Sequence, residues 1–332
     1  MAWFKSPPPI VTPTALVGVL VVNLGTPAAP TYGAIRRFLW QFLGDRRVVE
    51  ACPYYWYPIL FGPILTFRPL KTAQLYRAIW TEQGSPLKSL SSELVAKLQA
   101  TLPNTVRVEL AMTYGQPSIA AALARLLAAD IQTLYVLPMY PQYSGSTTGA
   151  VFDGVVNALK QYRRVPHLRF ITEYHSHPSY IQALADSVRE QWARTGRHHL
   201  VISNHGIPVK YVAQGDPYEA QVTATARLLV AELGLSAAEY SLTYQSRFGP
   251  TQWLTPATDV ELPRLAQRGI KAVTVITPSF AVDCLETLEE IAIGSAEVFL
   301  HAGGEQFNLV NALNASSQHV NVLRAVLASH GL

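Results

Sequence analysis

The plainest chemical capacity in the chain lies in an acidic run, Asp283-Cys284-Leu285-Glu286-Thr287-Leu288-Glu289-Glu290. If this run opens an α-helix, Asp283, Glu286 and Glu290 share one face at i, i+3 and i+7. Acids in a first helical turn also favour the positive helix end and are then simply solvated. A histidine, His205, follows an apolar run inside Ser203-Asn204-His205-Gly206-Ile207-Pro208. A lone histidine in such a place packs or hydrogen-bonds more often than it ligates. One imidazole with two or three carboxylates and no thiolate suits a borderline-hard divalent metal, held loosely with open positions. The same set suits removal of protons from an acceptor molecule.

Two further segments have chemical capacity. Pro141-Gln-Tyr-Ser-Gly-Ser-Thr-Thr-Gly149 is rich in glycine and hydroxyls. Such turns either cradle phosphate or carboxylate on backbone N–H groups or let a strand and a helix pack tightly. It is neither a Walker A motif nor GxGxxG, so nucleotide binding lacks its fingerprint. Between Trp40 and Trp80 lie Phe42, Tyr54, Tyr55, Trp56, Tyr57, Phe61, Phe67 and Tyr76, with Arg68 and Lys71 among them. This composition fits a helical hairpin packed on its own domain, or a lip over a flat apolar ligand that could also touch a membrane.

The elements that must position these residues are short apolar runs alternating with amphipathic segments. Leu16–Leu24, Val106–Met112, Thr133–Leu137, Leu168–Thr172, His199–Ser203, Glu239–Tyr244 and Ala272–Thr277 read as buried strands. Ser89–Ala100, Ser118–Ala129, Tyr180–Arg194, Tyr218–Leu233, Glu261–Arg268 and a closing Val320–His330 read as helices. Strand, helix, strand at this spacing implies parallel sheets. The halves echo each other. Val21-Val-Asn-Leu-Gly-Thr-Pro27 answers Ile202-Ser-Asn-His-Gly-Ile-Pro208, Thr113-Tyr-Gly-Gln-Pro117 answers Thr243–Pro250, and Leu137-Pro-Met-Tyr140 answers Thr277-Pro-Ser-Phe280. The first half carries about 50 extra residues near its start. The reading is two similar α/β domains, the first with an insertion. Leu24 stands in the first copy where His205 stands in the second. Ligands of open α/β sheets bind beyond the carboxyl ends of strands, where every echoed motif lies.

Composition sets the outer bounds. The chain has 332 residues, 49% hydrophobic and 14% charged, which supports about two domains and excludes intrinsic disorder. The net charge is +4 without a Lys/Arg run, which argues against a nucleic-acid groove but leaves an anionic ligand or membrane surface open. Cys52 and Cys284 form no CxxC and support no zinc site or disulfide framework. Met1–Pro13 lacks a secretory h-region. Val17–Leu24 is too short to span a bilayer, and Cys52–Phe67 is interrupted by Pro53, Pro58 and Pro63. The expectation is a cytoplasmic protein without a transmembrane helix.

From roughly Val17 to His319 the chain resembles the ferrochelatase family, most closely its proteobacterial branch. The resemblance is carried by Asn23-Leu-Gly-Thr-Pro27, Gly84-Ser-Pro-Leu87, Tyr140–Gly149, Ser203–Pro208 with Gly215-Asp-Pro-Tyr218, Gln245-Ser-Arg-Phe-Gly249 with Trp253-Leu254, and Asp283–Glu290, in that order. It implies an α/β fold of two similar Rossmann-like, chelatase-type domains, each a parallel sheet flanked by helices, with a substrate cleft between them. The expected boundaries are 14–172 with a porphyrin-lip insertion at about 30–88, 173–315 carrying the metal-site residues, and a C-terminal helix in 316–332 packing back on the body. It implies insertion of ferrous iron into protoporphyrin IX, the last step of haem biosynthesis. His205 and Glu286 match the family's metal-site pair. Asp283 and Glu290 match acids leading to that centre. Leu24, Arg68, Tyr76, Ser85, Trp253 and Phe280 match porphyrin contacts. Iron enters as substrate, and no cofactor is bound permanently. No [2Fe–2S] cluster is expected, because Gly145 replaces the internal cysteine of the four that some members carry and the other three are absent. Thr113 stands where some members have an arginine, and Asn204 where Tyr, Phe or Ala is commoner. Peripheral contact with the inner membrane fits the aromatic insertion. The competing readings are a non-catalytic porphyrin or haem carrier and a chelatase for another tetrapyrrole, coproporphyrin or sirohydrochlorin. A carrier has no need of the acidic face, and a many-carboxylate substrate would want more cations.

Overall fold

The computed structural model of the protein describes residues 17–332. The readings of Met1–Pro13, of a domain start at residue 14 and of Leu16 in the first strand lie outside the described residues. The chain divides into two compact units. The first holds the described residues up to Tyr140, Ser144–Glu173 and Leu327–Leu332; the second holds Pro141–Tyr143 and Tyr174–Val326.

In the first unit β1 (Val17–Gly25), β2 (Val106–Tyr114), β3 (Thr133–Pro138) and β4 (His167–Phe170) form one sheet in the order β2-β1-β3-β4. Every pairing is parallel. The central β1 is an unbroken apolar run because both faces of the sheet are covered: Val19–Val22 are buried throughout. Leu123, Leu126, Val151 and Val155, from the helices Ile119–Ala128 and Ala150–Leu159, pack with Leu20, Val22 and Val136. Each such side chain contributes about 1.5–3 kcal/mol of burial. Ser118 caps the first of these helices by accepting from the Ala121 N–H at 3.3 Å.

The second unit repeats the plan. β5 (His199–His205), β6 (Tyr240–Gln245), β7 (Ala272–Ile276) and β8 (Gln306–Leu309) pair in parallel in the order β6-β5-β7-β8. β8 was not expected. Its four residues alternate polar and apolar and are too few to show a strand period. Val201, Val273, Val275, Leu262, Ile291 and Phe299 form a core beneath the sheet.

The ladder registers correct two of the three echoes. Asn23 lies opposite Met112, and Asn204 opposite Tyr244. The Met112 N–H donates to Pro117 O at 2.7 Å, and the Tyr244 N–H to Pro256 O at 2.9 Å. Pro117 therefore corresponds to Pro256 rather than Pro250. The second unit has a longer loop before that proline, and Trp253 sits on it. Likewise Val21 pairs Leu137 and Ile202 pairs Ile276, so Leu137 corresponds to Ile276, one residue before Thr277. Motif letters align by residue type, whereas ladders align by hydrogen bonds, and the strands end at different points in the two copies.

The aromatic insertion is helical: Tyr32–Leu43, Pro53–Ile59, a π-turn at Leu60–Ile64, and Leu65–Ile79. Pro63 has no N–H to donate and helps break the α ladder there. The insertion is tied to its unit by Tyr114 Oη donating to Asp45 at 2.8 Å, Thr26 Oγ1 to Ser85 Oγ at 2.8 Å, and Arg47 pairing Asp153 at 2.7 Å. The closing helix runs Ser317–Ser329.

Candidate active site

In the second unit His205 ends β5. Its N–H donates to Ser279 Oγ at 3.2 Å, and Ser279 Oγ donates to Asn204 Oδ1 at 2.9 Å. His205 Nδ1 lies 2.6 Å from Gly206 O. A carbonyl can only accept, so Nδ1 carries a proton, and the neutral tautomer compatible with this contact is the one with its lone pair on Nε2. Phe280 lies beside the imidazole, ring centroids 6.2 Å apart. The Trp253 indole N–H donates to Phe248 O at 2.9 Å. A Cβ built on Gly206 would lie 3.3 Å from the Trp253 ring, so the indole covers the backbone next to His205.

The acids do not form the expected face. The helix after β7 is a π-helix over Glu286–Ser295, and Asp283 precedes it. Its i→i+5 bonding gives roughly four to five residues per turn, so i, i+3, i+7 is no longer the shared stripe. Glu286 and Glu290 remain near one another, both half-buried. Burial pushes the Glu290 carboxyl above the usual range; hydrogen bonds from Ser246 and the nearby His205 oppose the shift, and Glu286 adds to it. The Ser246 N–H and Oγ–H both donate to that carboxylate, the former at 2.7 Å. Asp283 is 3% exposed, and its oxygens accept from Thr287 Oγ1, the Ala312 N–H and Asn314 Nδ2. The structure thus brings His205, Glu286 and Glu290 together, with Phe280 and Trp253 beside His205, while the oxygens of Asp283 are engaged by Thr287, Ala312 and Asn314.

Residues that the sequence reading gave no role hold this group in place. Gln245, opposite His205 in the ladder, donates from Nε2 to Glu286 O at 3.0 Å. Its Oε1 accepts from Ser203 Oγ at 2.9 Å, and Ser203 meets Thr258, which donates to Thr243. Ser246 has φ +65, the left-handed region that non-glycine residues rarely adopt. The available signal was Gln-Ser at the carboxyl end of a strand.

In the first unit, Leu24, next to last in the central strand, is half-buried, its N–H donating to Asn23 Oδ1 at 2.8 Å. Arg68 and Tyr76 lie on the Leu65–Ile79 helix. Arg68 is half-buried, and burial lowers the guanidinium below its usual value. Tyr76 is buried and meets Trp80 edge-on at 6.0 Å. Ser85 is buried against Thr26 at the start of the Pro86–Thr101 helix. The Pro141–Gly149 turn does not offer a free anion cradle. Gly145–Gly149 is the π-turn that opens the following helix. There the Ser146 N–H is taken by Ser144 Oγ, and the Thr147 and Gly149 N–H groups by Ser144 O. Among the described residues no group of three or more His, Cys, Asp and Glu side chains could hold a metal ion by itself. No helix among them is long and apolar enough to cross a membrane.

Comparison with known proteins agrees with this geometry. The ferrochelatase family model matches residues 16–331. Ferrochelatase 1 of Shewanella oneidensis is 49% identical over 321 residues, covering 95% of this chain and 96% of its own. The ferrochelatase of Aeromonas hydrophila subsp. hydrophila is 49% identical over 318 residues, covering 95% and 98%. A solved structure of SirB from Bacillus subtilis with Fe3+ has a TM-score of 0.58 over 95% of both chains at 11% identity, a likeness of fold alone. With two such parallel sheets and this match along nearly its whole length, the chain belongs to the ferrochelatase family, the metallochelatases that insert iron into protoporphyrin.

Proposed function

We propose that the second unit performs the metal insertion, with His205 and Glu286 at its centre, and that the first unit's insertion grips the porphyrin. The observation that carries this reading is the His205 Nδ1–H bond to Gly206 O, which leaves Nε2 as a base beside two carboxylates. Iron insertion exchanges two pyrrole N–H protons for one ferrous ion, without redox change. His205 Nε2 takes the two pyrrole protons one after the other, handing the first to Glu290 before accepting the second, and Glu286 guides the iron. Glu290, whose burial favours the protonated form, passes protons on. A weak, incomplete protein donor set leaves positions on the metal for the porphyrin nitrogens. Leu24, Tyr76, Trp253 and Phe280 supply apolar and aromatic surface for the macrocycle. Arg68 pairs with a propionate, and Ser85 fixes Thr26 at the edge of that surface. No [2Fe–2S] cluster enters this proposal: such a cluster takes four thiolates, and the sequence holds two cysteines.

The test is anaerobic and optical. Protein, ferrous iron and protoporphyrin are mixed, and loss of free-base porphyrin fluorescence is followed beside His205→Ala. Catalytic loss of fluorescence in the parent protein and none in a folded His205→Ala protein is expected. Turnover retained by the folded variant overturns the assignment. A second part of the reading concerns place. Tyr54, Tyr55 and Phe67 are 88%, 77% and 69% exposed, with Arg36, Arg37, Lys71 and Arg77 also exposed on the insertion. Exposed rings with cations fit peripheral docking to an anionic inner-membrane surface from the cytoplasmic side. Failure to co-sediment with phosphatidylglycerol vesicles at low salt would remove that part alone.

A further inference from the structure

Asp283 and Asn314 are joined by two hydrogen bonds, one in each direction. Asn314 Nδ2 donates to Asp283 Oδ2 at 2.6 Å, and the Asp283 N–H donates to Asn314 Oδ1 at 2.8 Å. Asp283 Oδ1 accepts from Thr287 Oγ1 at 2.8 Å and from the Ala312 N–H at 3.2 Å. Thr287 Oγ1 in turn accepts the Cys284 N–H at 3.0 Å, across the start of the helix that carries Glu286 and Glu290. Asn314 is held from behind. Its own N–H donates to Ala281 O at 3.1 Å, and its carbonyl accepts from His319 Nδ1. It sits at φ +49, a left-handed conformation that Asn and Asp tolerate better than other side chains. A proton or metal relay needs an oxygen turned towards the next carrier. Asp283 has spent both oxygens on three donors of its own surroundings and is 3% exposed.

We propose that Asp283 and Asn314 form a clasp between the 312–314 segment and the first turn of the acid-bearing helix, and that both are positioning residues for iron insertion. The proposal rests on the reading that Glu286 acts on the iron. The clasp sets the turn from which Glu286 projects, and Asp283 transfers nothing itself.

The pair can be exchanged without changing its bonds. In the double variant Asp283→Asn/Asn314→Asp, Nδ2 at 283 donates to the carboxylate at 314. The amide oxygen at 283 still accepts from Thr287 and Ala312, and the N–H at 283 still finds an acceptor. Only the negative charge moves. Asp283→Asn alone sets two amide N–H groups against each other, and Asn314→Asp alone sets two carboxylates together. Each single change should lower kcat about tenfold or more, with porphyrin KM little altered. The exchanged protein should regain kcat to within about threefold of the parent. If either single variant fails to fold, the exchanged protein must still be both folded and active. A folded exchange as inactive as Asp283→Asn, an exchange that does not fold, or an Asp283→Asn protein of full activity would each overturn the proposal. His205→Ala, run alongside, separates the two claims: turnover in that variant sinks the reading of the centre whatever the exchange does.

Discussion

The carboxyl ends of β1 and β5 are the same place built twice, and they have diverged in chemistry rather than in frame. Both are central strands of a sheet with the same order, and both run into Asn-x-Gly-x-Pro. In the first, Asn23 Oδ1 accepts the Leu24 N–H directly, and Asn23 Nδ2 donates to Ser91. In the second, Ser279 stands between Asn204 and the His205 N–H, and Asn204 Nδ2 has no acceptor among the described residues. The asparagine braces the next residue in both copies. What it braces is an apolar side chain in one and an imidazole in the other. The helices that follow β3 and β7 diverge in parallel. Each has a π segment, Gly145–Gly149 with only glycines and hydroxyls and Glu286–Ser295 with three acids. The repeated frame thus presents an apolar side chain at one strand end and an imidazole with carboxylates at the other.

Erasing the difference should have the largest effect. His205→Leu makes the second strand end like the first, and turnover should fall at least about a thousandfold while the protein folds. Near-normal turnover would break the comparison. The glycines sharpen it next. Gly25 has φ +110, and a Cβ there would sit 1.7 Å from Tyr114 O. Gly206 has ordinary φ, and its Cβ would lie 3.0 Å from Gln245 O. Gly25→Ala should cost roughly 4 kcal/mol and Gly206→Ala about 1 kcal/mol in thermal or denaturant unfolding. Equal costs would mean the two turns are not distinct.

Acid should act on the second unit. His319 is buried and neutral, its pKa lowered to about 4 by burial, against 6.5 for the ordinary side chain. The unfolded chain therefore binds a proton that the fold does not. Stability is complete above about pH 6.5 and falls by about 3 kcal/mol as pH drops to about 4. Both histidines of the first unit, His167 and His330, are exposed. His319→Asn should flatten this part of the stability–pH curve, and an unchanged curve refutes the assignment. The smallest effect belongs to the insertion's surface. Tyr54→Ala and Tyr55→Ala should move stability by less than about 0.5 kcal/mol, while binding to anionic vesicles weakens.

Much of this frame was legible. β1 and β5 are apolar runs whose burial on both faces dictates their composition. Tyr218–Leu233 has a helical period strong enough that sequence and structure agree on its bounds. His205 stood out because the other copy has leucine there. The π-helix was not legible, since its extra residue per turn leaves no mark in a pattern read at the α period. β8 was too short. Gln245, Ser246 and Asn314 are single polar residues whose work is done across the fold, so neither period nor spacing announces them.

The π-helix also changes what kind of sequence change the acid pair can survive. An α-helix absorbs most substitutions on a solvated face, and its register is indifferent to which residue fills a position. The Glu286–Ser295 segment depends on residue number as much as residue type. Removing one residue, Gly294 for instance, would allow the chain to relax to i→i+4 bonding. Residues on either side would then turn by about 100° relative to one another, with every chemical group still present. Length variation, tolerated in most surface helices, is the kind of mutation this helix is least able to accept.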